Sequence, residues 1–257
     1  MKFTFGIITS NENQTHEYNG KNYMFEIIES IKMNNIPSDC YEIIVVGGNN
    51  IYKDFNNVKY IEFDDITKPG WITKKKNIIT ENAKYDNIVY SHDYIKYDKD
   101  WYNGFLKFGD DWDICMCINQ SLDGSRFRDW VAWDDPDINF PGGGYPATSK
   151  NSGHRAILPP YEYNNSHYML ISGSWWVAKK HIMLQVPLDE NLVWGDAEDV
   201  KWSFQVRNKY VYKMNIHSII NLCKNKRLSS EYLEIDDGGI NGDWINKYQN
   251  RKNEKFS

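Results

Sequence analysis

Between residues 2 and 95 four apolar runs alternate with two amphipathic segments, and every run leads into small, polar or acidic residues. KFTFGIIT closes on Thr9-Ser10-Asn11, YEIIVVGG on Gly47-Gly48-Asn49, and NVKYIEFDD on Asp64-Asp65, while YDNIVYSHDYI carries Ser91-His92-Asp93. A run that is apolar on both faces is what a parallel strand covered by helices on each side requires. The segments between them have a helical period. NYMFEIIESIKMNN spaces Met24, Ile27, Ile28 and Ile31 along one face, and ITKKKNIITENAK sets Ile72, Ile78, Ile79 and Ala83 on one side with its lysines opposite. Strand and helix in alternation predict an α/β fold around a mostly parallel sheet with right-handed crossovers. In open sheets of this kind ligands sit beyond the carboxyl ends of the strands. The four polar strand ends therefore mark one site.

The second half is less regular. Residues 121–168 contain DDPD, FPGGGYP and TSKNSGH in succession, too long an irregular stretch for an inert connection and suited to a lid or binding loop that includes Trp130, Trp133 and Tyr145. SGSWWVAKKHIM resumes regular structure, NLVWGDAED leads into the helical VKWSFQVR, and VYKMNIHSIINL reads as a last strand. The expected organisation is one domain over residues 1–223, in two halves at 1–110 and 111–223. A polar tail follows at 224–257.

Composition narrows the function classes. With 30 Lys and Arg against 35 Asp and Glu, the net charge of −5 argues against a basic nucleic-acid-binding surface. No apolar run approaches the roughly 18 residues of a membrane span, and MKFTFGIITS reads as a strand rather than a signal peptide, so a cytoplasmic protein is expected. Cys115 and Cys117, alone among the 4 cysteines in lying close together, fall inside the strand-like DICMCI and read as reduced and structural. The 15% aromatic share, with 10 Trp and 18 Tyr, suits either a large core or rings that stack on the C–H face of a sugar.

Asp196, Glu198 and Asp199 lie within four residues at a helix start. Two readings stand. Asp196 as N-cap, with Asp199 three residues on, approximates a capping box. Alternatively, crowded acids repel one another, which raises a pKa and suits a general base.

These motifs together resemble family 2-type glycosyltransferases of the GT-A fold. KKKNIITENAKYDNIVYSHDYIKYDKDWY is similar to the stretch in which a basic helix precedes a strand, an acidic metal motif and an Asp-Trp helix start. SGSWWVAKKHIM and PLDENLVWGDAEDVKWSFQVR resemble the second, galactosyltransferase-type signature: a small-residue turn, a Leu-Asp-Glu segment, Trp-Gly, Glu-Asp, and an Arg one helix later. The match spans roughly residues 1–220. It implies a Rossmann-like mostly parallel sheet and transfer of a sugar from a nucleoside diphosphate, such as UDP, to a glycan or other hydroxyl acceptor, with inversion. It further implies a divalent cation, Mn²⁺ or Mg²⁺, on the diphosphate.

Carried over residue by residue, the resemblance places Thr9, Ser10 and either Asp64 or Asp65 at the nucleoside, with Lys76 and Asn77 facing the sugar donor. Asp93 matches the metal-contacting acid, with His92 and His217 as further candidate ligands. Asp199 matches the base, Glu198 its acceptor-binding neighbour, and Asp196 is an additional acid. Ser172, Gly173, Trp175 and Trp194 fall on the acceptor side. The metal motif is thinned to one carboxylate in Ser-His-Asp-Tyr. That departure keeps a non-catalytic sugar-binding module on the same fold as an alternative. A sugar nucleotidyltransferase is a second alternative, though FGIITSNENQTH lacks the Gly- and Lys-rich phosphate loop it would need.

Overall fold

The computed structural model describes residues 1–10, 23–48, 52–53, 55, 57–133, 156–157, 161 and 166–224. Tyr145 of the expected binding loop and the tail from 225 lie outside these. An eight-stranded sheet forms the centre. Its first four strands are those read from sequence: β1 (Phe3–Ile8), β2 (Tyr41–Val46), β3 (Val58–Ile61) and β4 (Asn87–His92). They pair in parallel in the order β3-β2-β1-β4. The register aligns Ile8 with both Val46 and His92, so the polar residues after each strand emerge at one edge.

Helix α1 (Met24–Lys32) buries Met24, Ile27, Ile28 and Ile31, the face its period predicts. Helix α2 (Ile72–Asn82) departs from the prediction. Ile72 and Ile79 are buried as expected, but so are Lys75 and Lys76, which point into the protein and pair with carboxylates. The run after His92 is also not one strand. A turn at Asp93-Tyr94 separates β4 from β5 (Ile95–Tyr97), and α3 (Trp101–Phe108) follows.

The second half adds β6 (Ile114–Gln120), β10 (Trp175–Lys179) and β11 (Tyr212–Leu222), completing the order β3-β2-β1-β4-β10-β6-β11-β5. β10 runs antiparallel to both β4 and β6, while β11 is parallel to β6 and antiparallel to β5. Three short strands, β7 (Val131–Trp133), β8 (Ala156–Ile157) and β9 (Met169–Leu170), form a separate sheet from the loop-rich region. Arg126 Nε and Tyr161 Oη both donate to the fully buried Asp129, at 2.6 and 2.7 Å, and tie that region down. Two further helices, α4 (Lys180–Gln185) and α5 (Glu198–Val206), pack around β10 and the acidic segment.

Much of the aromatic content is core. Trp101, Trp130, Trp175, Trp176 and Trp202 are all buried, and Trp101 meets Phe3, Phe5, Tyr97 and Phe105 at centroid distances of 4.4–5.3 Å. All four cysteines are free thiols, and burial holds those of Cys115 and Cys117 well above their usual range. Among the described residues no helix is long and apolar enough to cross a membrane.

Candidate active site

The strand directions bring the carboxyl ends of β1, β2, β3, β4, β6 and β11 to one edge, joined there by the start of β10. On the β1 side of this edge, Thr9 Oγ1 donates to Asp93 Oδ2 at 2.7 Å, joining two expected site residues 84 positions apart. Lys75 Nζ donates to Thr9 O at 2.5 Å and forms an ion pair with Asp65 Oδ1, also at 2.5 Å. Asp65 is thus built into the floor. Asp64 is exposed and accepts from the Ile66 and Thr67 amides and the Thr67 hydroxyl, an Asx turn that holds its carboxyl below the usual range.

The β11–β5 pairing matches Leu222 with Ile95, and Cys223 N donates to Tyr94 O at 2.8 Å. Continuing that register sets Lys224 opposite Asp93. The Lys224 ammonium lies 4.2 Å from the Tyr94 ring centroid, and burial lowers its pKa against the opposing pull of the Asp93 charge. Lys224 was not among the expected site residues. The available signal was its place as the first charged residue after an apolar strand, the same place Asp93 holds after β4.

Across the edge, α5 begins at Glu198 behind Ala197, whose φ of +56° turns the chain sharply. Asp196 does not cap this helix. It is exposed, and its Oδ2 accepts from Val193 N at 2.9 Å, closing the turn before Ala197. Only two acids therefore share the interior. Asp199 Oδ2 accepts from Gly173 N at 2.7 Å, and Oδ1 accepts from Val200 N at 2.9 Å. Glu198 Oε1 accepts from Lys76 Nζ at 3.0 Å, and the same ammonium donates to Gly173 O at 2.9 Å and lies 4.5 Å from the Trp176 ring centroid. Burial, and then the neighbouring Glu198 charge, push the Asp199 carboxyl above the ordinary carboxylate range against the Gly173 N–H and the Lys76 cation.

The turn Ser172–Ser174 connects the two sides. His92 N donates to Ser174 O at 3.1 Å, one residue before Asp93, and Gly173 holds Asp199. The hydroxyls of Ser172 and Ser174 share a hydrogen bond of 2.9 Å. Asp93 and Asp199 therefore flank one short turn. A Cβ on Gly173 would lie 2.8 Å from Asp199 Oδ2 and 2.9 Å from Glu198 Oε1, nearer than side chains approach. Gly173→Ala is expected to displace both carboxylates; were Asp199 to act on a bound substrate, such ångström-scale misplacement would reduce turnover about 100-fold. Thermal melting measured beside kcat checks this: the melt should stay close to wild type.

Several expected positions need correction. His217 does not face Asp93. It lies within the register shift between Asn215 and Ile219, and the five steps from Ile219 to Lys224 alone set it about 16 Å or more along the strand at ~3.3 Å per residue. Trp175 is completely buried and offers a sugar no surface, and Trp176 likewise. Trp130 is buried too, stacked on Tyr212 at 5.2 Å. Asn77 faces away from the β1 side, exchanging hydrogen bonds with the Leu188 backbone and donating to Glu190. Lys76 also points to the acceptor side, at Glu198. Trp194, 69% exposed, remains available as a stacking surface.

Among the described residues no three His, Cys, Asp or Glu side chains converge as a metal cage. A hard cation that keeps most of its shell for phosphate and water oxygens needs only one or two carboxylates, and Asp93 with the adjacent His92 fits that requirement.

No family model matches the sequence, and no curated protein matches it. Solved structures do. Staphylococcus aureus TarS superposes with a TM-score of 0.57 at 14% identity, over 91% of this chain and 38% of that one. TarS residues 1–349 in complex with UDP-GlcNAc gives 0.56 at 13%, over 99% and 73%. GalNAc-T7 with UDP, GalNAc and Mn²⁺ gives 0.58 at 12%, over 91% and 47%. The chain thus spans less than half the length of two of the three. Identities this low speak for the fold, and the fold is of the GT-A type.

Proposed function

We propose that this chain is a glycosyltransferase that moves a sugar from a nucleoside diphosphate, UDP in the first instance, to a hydroxyl acceptor with inversion. The observation that carries the reading is the placement of Asp93 and Asp199 on either side of the 172–174 turn, with Asp199 oriented by the Gly173 amide. The complexes of similarly folded proteins with UDP, UDP-GlcNAc, and UDP with GalNAc and Mn²⁺ support the substrate class.

In this reading the nucleoside diphosphate lies along the ends of β1 and β4, by Thr9, Ser10 and the Asp93 turn, with the Lys224 ammonium on the phosphate side. A divalent cation, held by Asp93 beside His92, would neutralise charge developing on the leaving diphosphate. The acceptor approaches from the α5 side, with exposed Trp194 as its platform. Asp199 takes the hydroxyl proton as the acceptor oxygen bonds to the anomeric carbon and the bond to the diphosphate breaks. A base on the face opposite the leaving group gives inversion. The raised pKa brings Asp199 closer to working pH, which makes a carboxylate a better proton acceptor.

Calorimetry tests the donor half of this scheme. UDP should bind at least 10-fold more tightly with Mn²⁺ than with EDTA, and Asp93→Asn should abolish the difference. Binding indifferent to both the ion and Asp93 would remove the cation from the scheme. Binding of UDP-sugars without turnover on any hydroxyl acceptor would instead identify a non-catalytic module on the same fold.

A further inference from the structure

Lys76 is an uncommon residue to find with 1% of its surface exposed. Lysine is rarely buried unless its charge is paired, and here every close partner lies on the acceptor side. Its ammonium meets Glu198 Oε1 and Gly173 O at 3.0 and 2.9 Å, with the Trp176 ring beneath it. Gly173 in turn donates its N–H to Asp199. One ammonium therefore touches both supports of the proposed base: the neighbouring acid and the peptide that orients it.

We infer that Lys76 is a positioning residue, which neutralises Glu198 and fixes the Gly173 peptide so that Asp199 alone is the proton acceptor. This rests on the reading of Asp199 as base. Two carboxylates one residue apart in a buried site compete for a proton, and without a cation the chemistry would be shared between them. A cation bonded to Glu198 breaks that symmetry. The groups bearing on Asp199 are Glu198 and the Val200 amide on α5, Lys76 on α2, the Gly173 amide before β10, and Tyr212 on β11, whose buried hydroxyl lies within reach of the Asp199 charge.

The test is a pair of opposite shifts in the acid limb of kcat/KM. Lys76→Met keeps an apolar stem over Trp176 and removes the cation, so Asp199 should hold its proton more tightly. The acid limb should move up by about one pH unit or more, as expected for losing an opposite charge at this range. Glu198→Gln removes the like charge, and the limb should move down. The double variant Lys76→Met/Glu198→Gln buries no unpaired charge, and its limb should lie below that of Lys76→Met alone. Lys76→Arg should retain most of the wild-type profile. Shifts in the same direction, unmoved limbs in folded protein, or a rise in donor KM alone would overturn the inference and return Lys76 to a structural or donor-binding role. If Lys76→Met does not fold, the double variant is compared with Glu198→Gln instead: loss of the cation should set its limb above that of Glu198→Gln, and equal limbs would overturn the inference. Asp199→Asn separates the two levels: if it keeps full transfer, the base assignment fails, whereas if it is inactive and the limbs do not move, only the role of Lys76 fails.

Discussion

Asp199→Asn is expected to lower sugar transfer by about 10²–10⁴-fold, the usual contribution of a positioned general base, while UDP binding stays within about twofold of wild type. The separation follows from the geometry. Asp199 is held by the amides of Gly173 and Val200, on the far side of the 172–174 turn from Asp93 and Thr9. Asparagine keeps one of the two accepting oxygens, so one of the two amide hydrogen bonds survives to hold the side chain while the other and the proton acceptor are lost. A stability change accompanies the loss. The Asp199 pKa is raised above 3.8 in the fold, so ionising it opposes folding. That penalty is absent below the unfolded pKa, grows as pH rises through the folded pKa, and is fully present at neutral pH. The Tm of Asp199→Asn relative to wild type should therefore be higher at pH 7 than under acid conditions, where wild type no longer carries the penalty. Transfer at the wild-type rate would remove Asp199 from the chemistry.

The largest loss of stability is expected far from this edge, from Gly104→Ala. Helix α3 crosses β11 so closely that a Cβ at Gly104 would lie 2.1 Å from His217 O, 2.5 Å from His217 C and 2.4 Å from Ser218 Oγ. Two of these are main-chain atoms of β11 at its register shift, whose His217 N is held by Asn215 Oδ1 at 2.9 Å, and Ser218 Oγ is itself engaged, donating to Trp101 O at 2.7 Å. The helix would have to lift, drawing Trp101 and Phe105 out of the aromatic core. Alanine's helix propensity returns about 1 kcal/mol. Overpacking against fixed backbone costs about 3 kcal/mol or more, so a net loss of at least ~2 kcal/mol is expected. For a chain of this size that is roughly 4–8 °C in Tm, readable by calorimetry or circular dichroism. A melt at or above wild type would mean that α3 does not pack this closely on β11.

Local features of the fold were legible because local patterns encode them. The first four strands and the buried face of α1 follow from apolar run and period, and the polar strand ends lie together at one edge as expected. Lys75 and Lys76 misled because three consecutive lysines read as a solvent-facing side. Their burial depends on partners that periodicity cannot see, and for Lys76 the partner is 122 positions away. His217 misled for a related reason. Its distance from Asp93 is set by the pairing of β11 with β5 and by the register shift after Asn215, both non-local. Asp196 has the residue type of an N-cap, but the left-handed turn at Ala197 moved the helix start past it. The tryptophans followed volume rather than motif: Trp101, Trp175, Trp176 and Trp202, on strands and helices, went to the core, and Trp194, in a turn, stayed outside.

Strand β10 runs against its neighbours, and this delivers its leading peptide, rather than a side chain, to Asp199. Ordinary point mutation exchanges side chains and leaves an amide hydrogen in place at every residue but proline. That hydrogen is nonetheless tied to glycine here, because any Cβ at position 173 would enter the space of Asp199 and Glu198, so the contact confines the position to one residue type.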